Sequence, residues 1–302
     1  MVGSLLLVPL VLQLWANPPS FSGNVAFQYL EDLVARGHRH YGAKNRQQQI
    51  DYMKKMLSDS GWKVSVQHFD ELEQQSQNIY RLSNIIAQDP HPYKRRILLG
   101  SHWDTRLWAE EDPNILRRNH PIMGANDGSS GVALLFAIAA YLKENPLKNT
   151  AVDIVLFDGE EFGRPKKGGY CKGSEYFVQH LDRLYTSPLA AVIILDMIAD
   201  AELTLEKEAH SIRYSPSLWS EVKQHLKKQD ISFSQYSRSI RDDQSPFFDK
   251  NIPSILLIDL SYPYWHTHQD TLDKCSPKSM EKVGKGLLSW LRAIDSSTGP
   301  SQ

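Results

Sequence analysis

Apolar residues recur three and four apart at Val25, Phe27, Leu30, Leu33 and Val34, and again at Ile50, Met53 and Leu57 before Gly61. Such spacing lays one apolar stripe along a helix, so two amphipathic helices open the chain. The period then changes. Trp62, Val64 and Val66 alternate with Lys63, Ser65 and Gln67, as in a strand with one wet face. Ile97-Leu98-Leu99, Val152 to Phe157, Ala191 to Leu195 and Ile255 to Ile258 are apolar almost throughout, as in strands covered on both faces. Helical spacing returns between them, at about Ser130 to Leu142, Ser174 to Leu181, Ser217 to Lys228 and Pro277 to Ile294, the last with Met280, Val283, Leu287, Leu291 and Ile294 on one face. Strands alternating with helices predict an α/β fold in three layers, α/β/α, around a central mixed, mostly parallel sheet. The stretches Glu110 to Pro121 and Arg164 to Gly173 read as long loops, which in such sheets often hold the site.

Composition narrows the class. At 302 residues, with 41% hydrophobic residues, the chain has enough apolar surface for a full core. A formal net charge of -1, and no stripe of Lys or Arg with interleaved aromatics, argues against nucleic acid as a partner. Two cysteines, Cys171 and Cys275, allow one disulfide or none and exclude a four-cysteine zinc site. The apolar run Leu5 to Ala16 is short for a bilayer span and resembles a secretory signal core, although no Lys or Arg precedes it and Leu14-Trp15-Ala16 is a poor cleavage site. Residues 1–16 therefore read as a signal peptide or N-terminal membrane anchor, with a hydrophobic helix packed on the domain as the alternative. Residues 17–302 read as one catalytic domain that is secreted, periplasmic or membrane-anchored on the non-cytoplasmic side, any membrane contact being through that anchor.

The informative feature is positional. Each apolar run is followed by an acid or a histidine: His102 and Asp104 after Leu99, Asp158, Glu160 and Glu161 after Phe157, Asp196 after Leu195, and the loop holding His266 after Ile258. In an open α/β sheet ligands bind at the carboxyl ends of the strands, so four strand ends converge on one place. Asp127 joins them from GANDGSSG, residues 124 to 131, a turn whose Asp and Ser residues could equally cap the helix that follows. Singly, each residue has a structural explanation: a buried acid bonded to amides, a core histidine, a solvated glutamate pair. Glu160-Glu161, however, directly follows an apolar strand, where charge needs a partner. A divalent cation supplies one. Zinc takes imidazole and carboxylate, and catalytic sites use three protein ligands with an open position, a set that Asp127, Glu161 and His266 would make. Glu160 would then be free to act as acid and base.

The ordered set His102, Asp127, Glu160-Glu161, Asp196, His266 resembles the zinc aminopeptidases and the glutaminyl-peptide cyclotransferases (glutaminyl cyclases) of the zinc aminopeptidase-like fold, over about Ile79 to Ile294. Three features are similar to the cyclase branch: Trp265 before His266 in YPYWHTHQD, Arg241-Asp242-Asp243 followed by Ser245-Pro246-Phe247, and SHWDTR with NHPIMGANDG. Gln244 departs from both branches, which often have His there, and FGRPKK lacks the tryptophan of animal cyclases.

The resemblance implies one zinc ion on Asp127, Glu161 and His266, with His102 and Asp196 as further ligands if a second metal binds. It implies Glu160, Asp196 and Asp243 as catalytic acids, and Trp265 beside the substrate, with Trp103 and Phe247 as further aromatic neighbours. His268 and Asp270 are left as supporting or turn residues. The implied reaction closes the N-terminal glutamine of peptides or proteins to pyroglutamate and releases ammonia. The alternative is a co-catalytic di-zinc aminopeptidase. A noncatalytic binding domain fits poorly, because every ligand position is filled.

Overall fold

The computed structural model describes residues 20–93, 95–165 and 167–297. The apolar run Leu5 to Ala16 lies outside them, and among the described residues no helix is long and apolar enough to cross a membrane. Helices α1 (Gly23–Ala35) and α2 (Arg46–Asp59) lead into a hairpin of β1 (Lys63–Glu73) and β2 (Asn78–Gln88). Then come β3 (Arg95–His102), α3 (Ser130–Glu144), β4 (Thr150–Phe157), α4 (Lys172–Gln179) and β5 (Ala191–Asp196). An excursion through β6 (Thr204–Glu208), α5 (Ala209–Tyr214), α6 (Pro216–Lys227) and β7 (Ser232–Arg238) precedes the short α7 (Ser245–Phe248), β8 (Ser254–Ile258) and the closing α8 (Pro277–Ser297).

The main sheet has the order β1-β2-β4-β3-β5-β8. β4, β3, β5 and β8 run parallel, whereas β1 and β2 join antiparallel at one edge. The sheet is thus mixed and mostly parallel in its centre, as the strand-helix alternation predicts. Side chains alternate across it. Ile97, Leu99, Ile154, Leu156, Ile193, Leu195, Ile255 and Leu257 enter the larger core, under the apolar stripes of α1, α2, α3, α6 and α8. Leu98, Val155, Phe157, Val192, Ile194, Leu256 and Ile258 face the other way, onto Phe177 and Val178 of α4, Phe247 of α7 and Tyr262. Both faces are covered, which is why these strands read as apolar runs. Asp153, an acid in the middle of β4, is fully buried and bonded: its Oδ1 accepts from Asp89 N at 2.8 Å and from Arg96 Nη1 at 2.6 Å.

Two parts of this architecture escape the periodicity. β2 has no clean alternation, because its outer half leaves the sheet: it pairs with β1 along its whole length but with β4 only at Ile85 to Ala87. Ile79, at the free end, is 70% exposed. In the small sheet β7 is mostly polar and largely exposed, while β6 is polar at four of five positions yet buries Leu205, Glu206 and Glu208, so neither strand shows an apolar alternation that sequence could reveal. Cys171 and Cys275 are separate buried thiols, so the expected choice between one disulfide and none falls to none.

A buried cluster of acids and histidines at the strand ends

The four parallel strands end on one rim, and the residues named for it from the sequence meet there. His102 closes β3, Asp196 closes β5, and Glu160 and Glu161 form the short 3-10 turn after β4. His266 sits in the loop after β8 with a φ of 52°, in the left-handed region that non-glycine residues avoid without support. Asp127 comes from the turn before α3, where Gly128 has a φ of 78°. A Cβ on Gly128 would stand 2.2 Å from the Asp104 carbonyl oxygen, so only glycine lets this turn approach β3. Asp127 does not cap α3. Its carboxylate faces both histidines, with Oδ1 3.3 Å from His102 Nε2 and Oδ2 3.5 Å from His266 Nε2.

Three three-residue groups have donor atoms within 4.8 Å of one another: His102 with Asp127 and Asp196, and Asp127 with Glu161 and His266, all buried, and Glu160 with Cys171 and Asp242, which lacks an imidazole and whose thiol burial keeps protonated. His102 Nδ1 lies 3.1 Å from the Asp104 carbonyl oxygen, which can only accept, so Nδ1 carries a hydrogen and Nε2 is the nitrogen left for a metal once it gives up the proton that Asp196, Asp104 and Asp127 favour against the effect of burial. His266 Nδ1 faces Glu110 Oε1 at 3.1 Å, leaving its Nε2, 3.1 Å from Glu161 Oε1, similarly aimed inward. Asp127 Oδ2 is buried and accepts no hydrogen bond, an arrangement that is unfavourable unless a cation stands beside it. The donor set of imidazole and carboxylate therefore fits zinc.

Around this cluster lies a framework that the sequence reading only partly anticipated. Asp104 accepts from Glu160 N at 3.2 Å and from Glu161 N at 3.0 Å, fixing the glutamate turn to the end of β3. Asp270 accepts from Asn126 N at 2.8 Å, Asp127 N at 3.1 Å and Tyr262 OH at 2.9 Å, which makes it a support of the glycine-rich turn. His268 points away from the cavity, its backbone N–H donating to Asp112 and its Nε2 lying 3.0 Å from the Arg117 carbonyl oxygen. Arg106 is fully buried, with Nη1 donating to Glu161 Oε2 at 2.7 Å and Nη2 to Glu110 Oε1 at 2.6 Å. Arg106 and Glu110 were missed as site residues. The available signal was an arginine closing SHWDTR, four residues after His102, with an acid, Glu110, four residues further on.

The electrostatics follow from burial and crowding. Burial raises Glu160, and the neighbouring Glu161 and Asp242 carboxylates raise it further, well above the usual carboxylate range. Burial alone would raise Glu161 too, but Arg106 and His266 outweigh it and hold this group ionised far below that range. Asp127 is raised to about 7, by burial first and then by Glu161. His266 is raised to about 10, its neighbours Glu161 and Glu110 overcoming the opposing effect of burial. Two adjacent glutamates thus hold opposite protonation tendencies. The Cys171 thiol, kept protonated by burial and by Glu160, lies with its Sγ 3.5 Å from Glu160 Oε1.

A cavity of about 400 Å3 opens onto the cluster, with Asp127, Glu160, Glu161, Asp196 and His266 on one side and Tyr170, Met197, Ile240, Leu260 and Trp265 on the other. Trp265 stacks on the His266 ring at 3.9 Å. Trp103 and Phe247, expected near the substrate, are not there. Trp103 is fully buried in the larger core, with Nε1 donating to the Ser83 carbonyl, and Phe247 is fully buried against Phe157 and Phe177. Each occupies an inward position next to a site residue, where packing and not substrate takes the ring. Of the paired aspartates, Asp242 lines the cavity, whereas Asp243 sits behind it and accepts from Ser174 Oγ at 2.5 Å.

The sequence profile of peptidase family M28 matches residues 84–291. Glutaminyl-peptide cyclotransferase of Drosophila melanogaster is 26% identical over 263 residues, which cover 77% of this chain and 70% of that one. Among solved structures, Fimbriiglobus ruber glutaminyl cyclase is 30% identical with a TM-score of 0.84, covering 92% of this chain and 97% of its own. A leucine aminopeptidase precursor from Bacteroides thetaiotaomicron is 28% identical with a TM-score of 0.85, covering 91% and 98%. Match length, fold and strand-end cluster agree, and the chain belongs to peptidase family M28.

Proposed function

We propose that this chain is a zinc-dependent glutaminyl-peptide cyclotransferase, acting on peptides or proteins with N-terminal glutamine. The observation that supports it is one cavity joining the Asp127, Glu161 and His266 group, a half-buried Glu160 that favours holding a proton, and an aromatic wall at Trp265. Zinc held by those three residues would supply a Lewis acid for the side-chain carbonyl of the glutamine. Glu160 accepts a proton from the substrate α-amine as its nitrogen bonds to the side-chain amide carbon. It returns that proton to the amide nitrogen as the old carbon-nitrogen bond breaks, so ammonia leaves and the five-membered lactam remains. A carboxyl raised above the usual carboxylate range, by burial first and then by the neighbouring Glu161 and Asp242, holds a proton more readily than a free glutamate, which favours its taking up and returning one here. Asp196 and Asp242 line the same cavity and orient the departing nitrogen, while Asp243 acts on Glu160 through its charge from behind Asp242. Trp265 covers the glutamine side chain and excludes water, which favours closure on the substrate's own amine over hydrolysis.

A second reading, a di-zinc aminopeptidase, is favoured by the complete second group of His102, Asp127 and Asp196. Metal-stripped protein titrated with zinc separates the two. Ammonia release from a Gln-initiated dipeptide that stays intact, saturating near one zinc per chain, supports the cyclase. Release of free amino acid from Leu- and Gln-initiated dipeptides, requiring nearer two, overturns it.

A further inference from the structure

Beside the catalytic cavity, across Glu110 and Pro165, lies a groove of about 330 Å3 whose lining includes Gln75, Trp108, Arg118, Arg164 and Lys167. Its charges are unevenly satisfied. Glu110 is taken up by Arg106 and His266. Arg164 is paired with Glu73 at 2.9 Å and lies 4.6 Å over the Trp108 ring. Arg118 is held only through Nε, which donates to the Asp112 carbonyl at 2.7 Å. Among the described residues, no carboxylate pairs with Arg118 or Lys167. The Trp108 indole N–H is buried and likewise has no acceptor among the described residues. The groove therefore presents two unpaired cations and no unpaired carboxylate on its own walls, with the unsatisfied indole N–H buried behind its surface.

On the cyclase reading, a peptide seated with its first residue in the cavity must leave toward the surface, and the groove adjoins the cavity at Glu110 and Pro165. We propose that this groove is the binding subsite for the residues that follow the N-terminal glutamine, and that it selects acidic side chains at those positions. The cations act mainly at the rim, so the selectivity is modest and falls with salt.

The test uses the full chain loaded with zinc and follows ammonia release. The substrates are glutamine amide, too short to enter the groove, and C-terminally amidated tetrapeptides beginning with Gln and carrying either Glu or Lys at positions two and three. The expected result is a kcat/KM about 3- to 10-fold higher for the acidic peptide at low ionic strength. That preference shrinks in high salt and is lost or reversed in Arg118→Glu and Lys167→Glu, while turnover of glutamine amide is unchanged in both. Arg118→Gln, which removes charge without reversing it, loses the preference without inverting it. Turnover of glutamine amide with no charge preference among the peptides, or a preference that survives the charge reversals, overturns the subsite and leaves the cyclase reading standing. No turnover of glutamine amide or of any peptide overturns the cyclase reading and the subsite with it.

Discussion

Arg106→Lys is the most demanding test of how the cluster is held. The wild-type guanidinium bridges two acids with opposite duties: Nη1 occupies Glu161 Oε2 at 2.7 Å, leaving Oε1 toward His266, and Nη2 with Nε engages Glu110, which faces His266 Nδ1. Nη1 also donates to the Gly163 carbonyl at 2.9 Å, and Nη2 to Tyr170 OH at 3.1 Å. Lysine retains the charge but offers one ammonium in place of a fork, so it cannot reach both carboxylates. Because the charge is kept, the electrostatic change at the metal group is small and the geometric change remains. Breaking one half of a buried ionic pair removes about 3–5 kcal/mol, of which the ammonium recovers a share, so the metal-free protein should lose about 2–4 kcal/mol. Freed carboxylates also orient the zinc ligands less well, and loss of such support weakens zinc binding about 10- to 100-fold. By linkage the zinc-loaded protein must then lose a further amount of about 1.4–2.8 kcal/mol. Competition against a chromophoric chelator gives the affinity, and urea unfolding with and without zinc gives both stabilities. Zinc affinity within threefold of wild type, or tighter, would refute the reasoning and leave Arg106 as a counter-charge alone.

Glu160→Gln should lower kcat about 10²- to 10⁴-fold with zinc affinity nearly unchanged, since Glu160 is in neither of the two histidine-containing groups; a parallel loss of zinc would place it among the ligands. Zinc binding should release protons. In the metal-free protein His266 is raised to about 10 and Asp127 to about 7, so near neutral pH His266 holds a proton and Asp127 holds one part of the time, both of which the metal must displace, and affinity should climb as pH rises from about 7 toward about 10. Calorimetry in buffers of different ionisation enthalpy reads the number, and zero protons near neutral pH contradicts the electrostatics described. Gly128→Ala should destabilise the fold by about 2–4 kcal/mol, by left-handed strain and by its Cβ driving into the Asp104 carbonyl oxygen. A change below about 0.5 kcal/mol in urea unfolding would show that the turn can relax away from β3.

Much of this protein is determined by its sequence alone. The buried parallel strands announce themselves as apolar runs because helices cover both faces, and the residues after those runs are catalytic candidates because a parallel sheet brings strand ends to one rim. Glu161, His266, His102 and Asp196 are legible in this way, and Asp127 from its glycine-rich turn, which on sequence alone could equally cap a helix. Other features exist only through contact. β2, a hairpin partner of β1 that only at Ile85 to Ala87 meets the distant β4, and the β6-β7 pair, whose strands lie more than twenty residues apart, are set by pairing that no local period encodes. Trp103 and Phe247 share a neighbourhood with the site in sequence, yet each turns into the core, because adjacent residues at a strand end or in a tight turn point in different directions. Asp242 and Asp243 are separated in the same manner, one lining the cavity and one behind it. Arg106 and Glu110 become site residues only when the loops after β3 and β4 and the His266 loop close on one another. Composition and periodicity report which side chains avoid water. Which partner a buried charge finds is decided by the tertiary structure, because an ion pair depends on a few ångströms between segments whose sequence separation carries no trace of it.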